Sequence, residues 1–424
     1  MTNDIARGPG VRLPWAGKIV NIEEVETQLS LLWKISADNM RTGQNVNVRT
    51  SVLNLVICAP DIESAQHASR VLRELSSTHL ARVAILILDK SEEQPDGLWT
   101  WVTLRCFSMF SDLMRHCFEQ TTVLATGSAI RAIGNIMQPL LKPDLPVYLW
   151  WLGDPPDIKD PTFNNLMEIS NRVIFDSTGF FNPEQDIYTL AALPDAYPDA
   201  ALSDLNWGRI TPWLQLVAQF FDTPEYRPYL AGVNAIEIEH AVIPLMAQVR
   251  TEQGDVSPNP ARALLLAGWL KTRLGWELAA DTTGNHHDTA GGTYSWTMER
   301  SPRSTRLLTS PRSKAGKGNA SISIRPQVQA EMRPGSICLV RLTSNIENKR
   351  ATFTIRLAGD TEHVFTSVEL GHEIRSKRLV SLTAVHNEGE LLHNELEVLS
   401  HDSLFEQILR EVAGLLEDSS LRSE

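Results

Sequence analysis

The chain has 424 residues, 42% of them hydrophobic and 21% charged, with a formal net charge of −12. That length predicts two or three domains and that composition a globular core. The acidic balance argues against nucleic acid or an anionic membrane as partner, because phosphate attraction needs an excess of Lys and Arg. Four cysteines, Cys58, Cys106, Cys117 and Cys338, are scattered without a C-x-x-C pair, which excludes a disulfide framework and a four-thiolate zinc site. They read as reduced thiols, with a redox pair between Cys106 and Cys117 as the alternative. The first fifteen residues have no continuous apolar core, and runs such as Ala263 to Leu270 fall short of the roughly 18 residues a membrane span needs. A cytoplasmic protein is expected.

After a Gly/Pro/Arg-rich arm, Asn21 and Glu24 sit at capping-box spacing before Ile22, Val25, Leu29 and Leu32, one face of a helix. From Arg49 the pattern becomes strand–helix alternation. Ser51–Ala59 is an apolar run ended by Pro60, and Asp61 caps a helix with Ala65, Ala68, Leu72 and Leu75 at helical spacing. Ala81–Leu88 is a second apolar strand, Trp99–Phe107 an edge strand and Thr121–Ala125 a short buried one. Gly127 then opens a helix from Ser128 to Leu141, and Pro146–Trp151 and Arg172–Asp176 repeat the strand pattern. Apolar strands alternating with amphipathic helices predict an α/β layer with a mostly parallel sheet.

The middle third reads as helical. Thr211 and Pro212 look like a cap and first-turn pair, and Ser257 and Pro258 open a second helix that ends at Gly275. Residues 281–292 read as the clearest linker. Beyond it Tyr294–Met298, Ala320–Ile324, Ser336–Leu342, Thr352–Leu357 and His363–Val368 have the period of an antiparallel sheet, and a helix from Ser400 to Leu416 closes the chain. The expected organisation is an arm and helix over 1–45, an α/β domain over 46–200, a helical segment packed on it over 201–280, and a C-terminal α+β domain with an antiparallel sheet over 281–424.

Searches for chemistry return little. His286, His287 and Asp288 lie in the linker, where nothing fixes a metal-ligand geometry. The turn Cys58-Ala59-Pro60-Asp61 has no glycine and an acid where a pyrophosphate would sit. Gly127, Ser128 and Arg131 could contact a phosphate, although a lone Gly at a strand–helix junction is ordinary turn chemistry. No G-x-S-x-G elbow appears, and His116 beside Cys117 lacks an orienting third group. No catalytic residue, cofactor or metal is expected. Two features suggest contact surfaces instead. Trp150, Trp151, Trp207 and Trp213 lie near loop ends, where one side chain can desolvate a large area. Arg300, Arg303, Arg306, Arg312, Lys314 and Lys317 form a basic island without an acid between residues 300 and 318.

The segment Leu205-Asn206-Trp207-Gly208-Arg209-Ile210-Thr211-Pro212-Trp213 resembles the central signature of the OpcA family. Leu145-Pro146-Val147-Tyr148-Leu149-Trp150-Trp151 before a Gly-Asp-Pro-Pro turn is similar to a second family block, and Asn45–Ala59 and Leu264–Gly275 also fit. The resemblance implies a non-enzyme that binds glucose-6-phosphate dehydrogenase and promotes its active oligomer. Partner contacts would then fall to Trp150, Trp151, Asn206, Trp207, Arg209, Trp213, Arg303, Arg306 and Arg312. Thioredoxin-linked control, known in parts of the family, is not carried over, since the cysteines offer no obvious dithiol. A sugar-phosphate- or nucleotide-binding enzyme using the α/β layer is the alternative.

Overall fold

The computed structural model describes residues 13–41, 46–49, 51–75, 81–91, 95–109, 111–243, 258–280, 285–288, 292–300, 319–360, 362–382 and 387–420. The chain divides into two compact units. The first comprises Met1–Asp176, Leu193–Leu205 and His386–Asp402, and the second Ser177–Ala192, Asn206–Val385 and Ser403–Glu424.

The first unit is α/β. Its strands are β1 (Lys18–Val20), β2 (Val46–Arg49), β3 (Leu53–Ala59), β4 (Ala81–Asp89), β5 (Gly97–Met109), β6 (Ser111–Thr126), β7 (Val147–Trp151), β8 (Arg172–Phe175) and β9 (Ala201–Asp204). They form one sheet in the order β1-β5-β6-β4-β3-β7-β8-β9, with β2 paired to β6. Every pairing from β6 across to β9 is parallel, and only β1 with β5 and β5 with β6 are antiparallel. Every residue of β3 and β7 is buried, as parallel strands covered on both faces require. The short strand read at Thr121–Ala125 is the end of the longer β6, whose polar first half hides it from a hydrophobic scan.

The helices of this unit are α1 (Val25–Arg41), α2 (Ile62–Leu75), α3 (Ile133–Leu140) and α4 (Pro161–Glu168); α5 (Pro183–Ala196) has residues in both units. Asp160 caps α4, accepting from the Thr162 and Phe163 amides at 2.8 and 3.2 Å, with Pro161 at the first helical position. A distant segment, α9 (Glu388–Glu397), returns to this core. Its Leu391, Leu392 and Leu396 join Ile57, Trp150 and Ile174 in one buried cluster.

The second unit is a nine-stranded, largely antiparallel sheet with helices. Its strands are β10 (Val233–Val242), β11 (Trp276–Leu278), β12 (His286–Asp288), β13 (Thr293–Arg300), β14 (Ala320–Val328), β15 (Ile337–Ile346), β16 (Lys349–Leu357), β17 (His363–Leu370) and β18 (Glu373–Ser381). The order is β11-β13-β14-β10-β15-β16-β17-β18, with β12 beside β13, and only β10 with β14 run parallel. Alternation is strict: Tyr294, Trp296 and Met298 are fully buried, with Ser295 and Thr297 between them facing the other way.

The helices of this unit are α6 (Leu205–Phe220), the single turn α7 (Arg227–Leu230), α8 (Ala261–Leu274) and α10 (Ser403–Ser420). Phe353 of β16 lies among Phe220, Phe221, Tyr226 and Tyr229, with ring centroids 4.9–6.3 Å away. The Trp296 indole donates to the Leu415 carbonyl of α10 at 3.1 Å. Gly268 lets α8 meet α10 closely, since a Cβ there would lie 2.6 Å from the Val412 methyl. Gly275 ends α8 in the left-handed conformation, as the sequence reading expects.

Two expectations change here. Thr211 and Pro212 do not begin a helix: α6 runs through them from Leu205, and the Thr211 hydroxyl bonds back to the Trp207 carbonyl at 3.2 Å. Buried apolar contacts on both sides of Pro212 outweigh its missing donor. The segment read as a linker contributes β12, paired to β13, and His287 packs against the rings of Tyr294 and Trp296 at 6.0 and 5.2 Å.

Candidate functional site: a filled nucleotide crevice and a buried signature helix

In the first unit β3 is flanked by β4 on one side and β7 on the other, so the strand order reverses between β3 and β7. Ligands of open α/β sheets bind beyond the carboxyl ends of the strands at such a point. Here the first strand–helix turn is Pro60-Asp61, and the Asp61 carboxylate accepts the Ser64 amide at 2.7 Å. A negative side chain thus takes up the N-terminus of α2, where a pyrophosphate would need free amides and glycine. The Leu152 amide is tied to the Cys58 carbonyl at 2.9 Å, and the Trp151 indole to the Asp154 carbonyl at 3.0 Å. These residues do not fit a dinucleotide.

The second anion candidate is filled in the same way. Gly127 has φ +58°, and Asp96 lies over the turn, accepting the Ser128 amide at 3.0 Å and the Ser128 hydroxyl at 2.5 Å. Those hydrogen bonds, the hydroxyl first, hold the Asp96 carboxyl below its ordinary range. A Cβ at Gly127 would collide with that carboxylate at 1.9 Å. Arg131 is exposed one turn on. Gly127 and Ser128 therefore present to Asp96 the geometry that a phosphate would use.

In the second unit the signature segment forms the start of α6. Asn206 is buried, donating to the Ser177 hydroxyl at 2.9 Å and accepting from Thr178 at 3.0 Å and from the Arg262 guanidinium at 2.6 Å. Arg209 donates to the Thr178 hydroxyl at 2.9 Å, and Arg262 also reaches Ser336 at 3.1 Å. Asn259 ties the Ser177 and Thr178 carbonyls at 2.8 and 3.0 Å. The network orders the Ser177–Gly179 turn against the starts of α6 and α8. Thr178, Asn259 and Arg262 were missed in the sequence; the Asn before an apolar helix was their one local signal.

The tryptophans divide by burial. Trp150 is fully enclosed, Trp151 and Trp213 are buried at 8% and 6% exposure, and Trp207 is half-buried, its ring centroid 5.7 Å from that of Phe405. The first three are placed for packing, and only Trp207 keeps a solvent-facing part. Arg303, Arg306 and Arg312 lie outside the described residues. Arg300, at the edge of the basic island, donates to the Ala231 and Val233 carbonyls at 2.5 and 2.7 Å.

The cysteines depart from the expectation of four reduced thiols and take the alternative, a pair between Cys106 and Cys117. Cys106 and Cys117 face each other across the β5–β6 ladder and are joined by a disulfide. A hairpin between them converts a separation of 11 residues into direct opposition. Cys58 and Cys338 are free and buried; burial pushes both thiols up, that of Cys338 to about 12. Among the described residues no group of three or more His, Cys, Asp or Glu side chains could hold a metal ion, and no helix is long and apolar enough to cross a membrane.

Residues 64–192 match a family model described as the glucose-6-phosphate dehydrogenase subunit N-terminal domain, and residues 200–409 match the corresponding C-terminal domain. The chain belongs to the OpcA family. Its relatives include proteins named "Putative OxPP cycle protein OpcA" in Nostoc punctiforme, 37% identical over 209 residues, and in Synechococcus elongatus, 28% identical over 303 residues. Those alignments cover 49% and 71% of this chain, but only 41% and 60% of the two relatives. A third, from Synechocystis sp., is 36% identical over 38% of this chain and 30% of its own length. Among solved structures, levoglucosan dehydrogenase in complex with NADH and levoglucosan aligns over 89% of this chain and 98% of its own. The TM-score is 0.45 and the identity 10%, a likeness that carries no functional weight for an OpcA protein.

Proposed function

We propose that this chain is a non-catalytic assembly factor that binds glucose-6-phosphate dehydrogenase in the cytoplasm and favours that enzyme's active oligomer. It would thereby serve the oxidative pentose phosphate pathway. The observation that carries this reading is the match of both halves of the chain, in order, to domains described as parts of a glucose-6-phosphate dehydrogenase subunit. The filled crevice supports it: Asp61 and Asp96 stand at the two positions where an enzyme of the α/β layer would hold a nucleotide or sugar phosphate. An assembly factor needs no such site. It acts by binding one oligomeric form better than another, and a tenfold shift takes only about 1.4 kcal/mol of differential affinity.

The test is a titration of purified glucose-6-phosphate dehydrogenase with this protein, following gel-filtration co-elution and activity at low glucose 6-phosphate. Co-elution with a lowered half-saturating substrate concentration is expected. Separate elution at micromolar concentrations, oxidised and reduced, would end this reading.

A further inference from the structure

The sheet of the second unit buries one face, and its other face is built for contact. On β15 to β18 the outward side chains stand in cross-strand rows. Arg356, Phe365 and Leu379 form one row, and Arg341, Thr354, Ser367 and Lys377 the next. Thr352 and Arg350 continue the β16 column on the same face. The arginines, threonines and Ser367 of these rows, with Glu369 of β17 as the one carboxylate among them, border a shallow depression of about 500 Å³. Arg341 is held by Glu237 at 2.5 Å, whereas Arg350 and Arg356 are exposed and have no ion-pair partner among the described residues. Phe365 and Leu379 are 39% and 56% exposed, and Lys377 lies 5.6 Å from the centre of the Phe365 ring.

This combination is unusual in a chain of net charge −12. Unpaired guanidiniums and hydroxyls on a rigid sheet are preorganised donors, and an adjoining aromatic and leucine supply the apolar anchor that interface hot spots use. Guanidinium stacks and forks suit carboxylate partners rather than a bare apolar surface. The six strands β14, β10, β15, β16, β17 and β18, at about 4.8 Å spacing and some 27 Å long, present a face of roughly 800 Å², the area each partner of a standard interface buries. A small anion would occupy only a corner of so wide and open a surface.

We propose that this face, centred on Arg350, Arg356, Phe365 and Leu379, docks a carboxylate-bearing surface of the partner enzyme. The proposal rests on the reading of the chain as a dehydrogenase-binding factor and names where that binding occurs. The acidic remainder of the chain repels an acidic partner, so the cationic face also orients the encounter.

The experiment compares the full chain with the double variant R350E/R356E, with F365S, and with a control, R70E/K159E, which makes the same charge change on exposed positions of the first unit. Binding to purified glucose-6-phosphate dehydrogenase is measured at two salt concentrations, and folding is checked by the melting temperature. The expected result is at least tenfold weaker binding for R350E/R356E, weaker binding for F365S, no change for the control, and loss of wild-type affinity with salt. Equal binding by R350E/R356E and wild type overturns the docking face and leaves the assembly reading intact. A wild type that binds no dehydrogenase removes both. A wild type that dimerises by itself, with R350E/R356E monomeric, reassigns the face to self-association and overturns the proposal.

Discussion

The Cys106–Cys117 disulfide makes the stability of the first unit depend on redox state, by an amount that can be worked from the fold. The bridge joins residues 11 apart. Closing a loop of that size removes conformational freedom from the unfolded chain worth about 3 kcal/mol in the chain-entropy treatment. The native hairpin does not need the bond for its register. The ladder continues on one side through Arg105 opposite Phe118, Leu104 opposite Glu119 and Thr103 opposite Gln120. Reduction is therefore expected to leave the fold in place and lower its melting temperature by about 5–10 °C, the shift that 3 kcal/mol gives a unit of roughly 200 residues. Cys58 and Cys338, buried with raised thiol pKa values, are poor competitors for exchange, so the bond reforms without scrambling. The assay is calorimetric melting of oxidised and reduced protein, with the redox state fixed by thiol alkylation and mass measurement. The variant C106S/C117S should melt with the reduced protein and ignore reductant. Identical transitions for verified oxidised and reduced wild type would refute the reasoning, since the cross-link would then constrain nothing that folding must otherwise order.

Phe353→Ala removes a ring enclosed by four others and should cost about 3–5 kcal/mol, seen as a lowered denaturant midpoint for the second unit, with Phe353→Leu much milder. Asp96, whose carboxyl is held below its ordinary range by Ser128, lends stability that is present above the unfolded value near pH 4 and lost as pH falls through the lower folded value. The melting temperature of Asp96→Asn should accordingly lie below that of wild type at pH 6 and converge with it as pH falls below the unfolded value near pH 4; parallel pH curves would remove the argument.

Much of the fold is legible because its signals are local. The seven buried residues of β3 and the alternation in β13 announce a parallel layer and an antiparallel sheet without any knowledge of their neighbours. Elements whose stability comes from distant partners are not legible. The sequence of α9 is polar between its three leucines, and its place is decided by a core built mostly from residues more than two hundred positions away. β18 has most of its residues exposed, so no periodicity marks it, and only pairing with β17 defines it.

The candidate site divides along the same line. Asp61 could be read as an unsuitable residue for a pyrophosphate from its place after an apolar strand. Asp96 could not, because it reaches Ser128 across 32 residues. Tryptophan was a misleading guide for a related reason: a large apolar ring signals burial and binding alike, and Trp150 and Trp213 answer to burial. Arg350 and Arg356 gave no signal because arginine on a strand is ordinary. What distinguishes them is their gathering on one face with Thr352, Thr354, Ser367 and Glu369, a property of cross-strand register that appears only once β15, β16 and β17 are aligned.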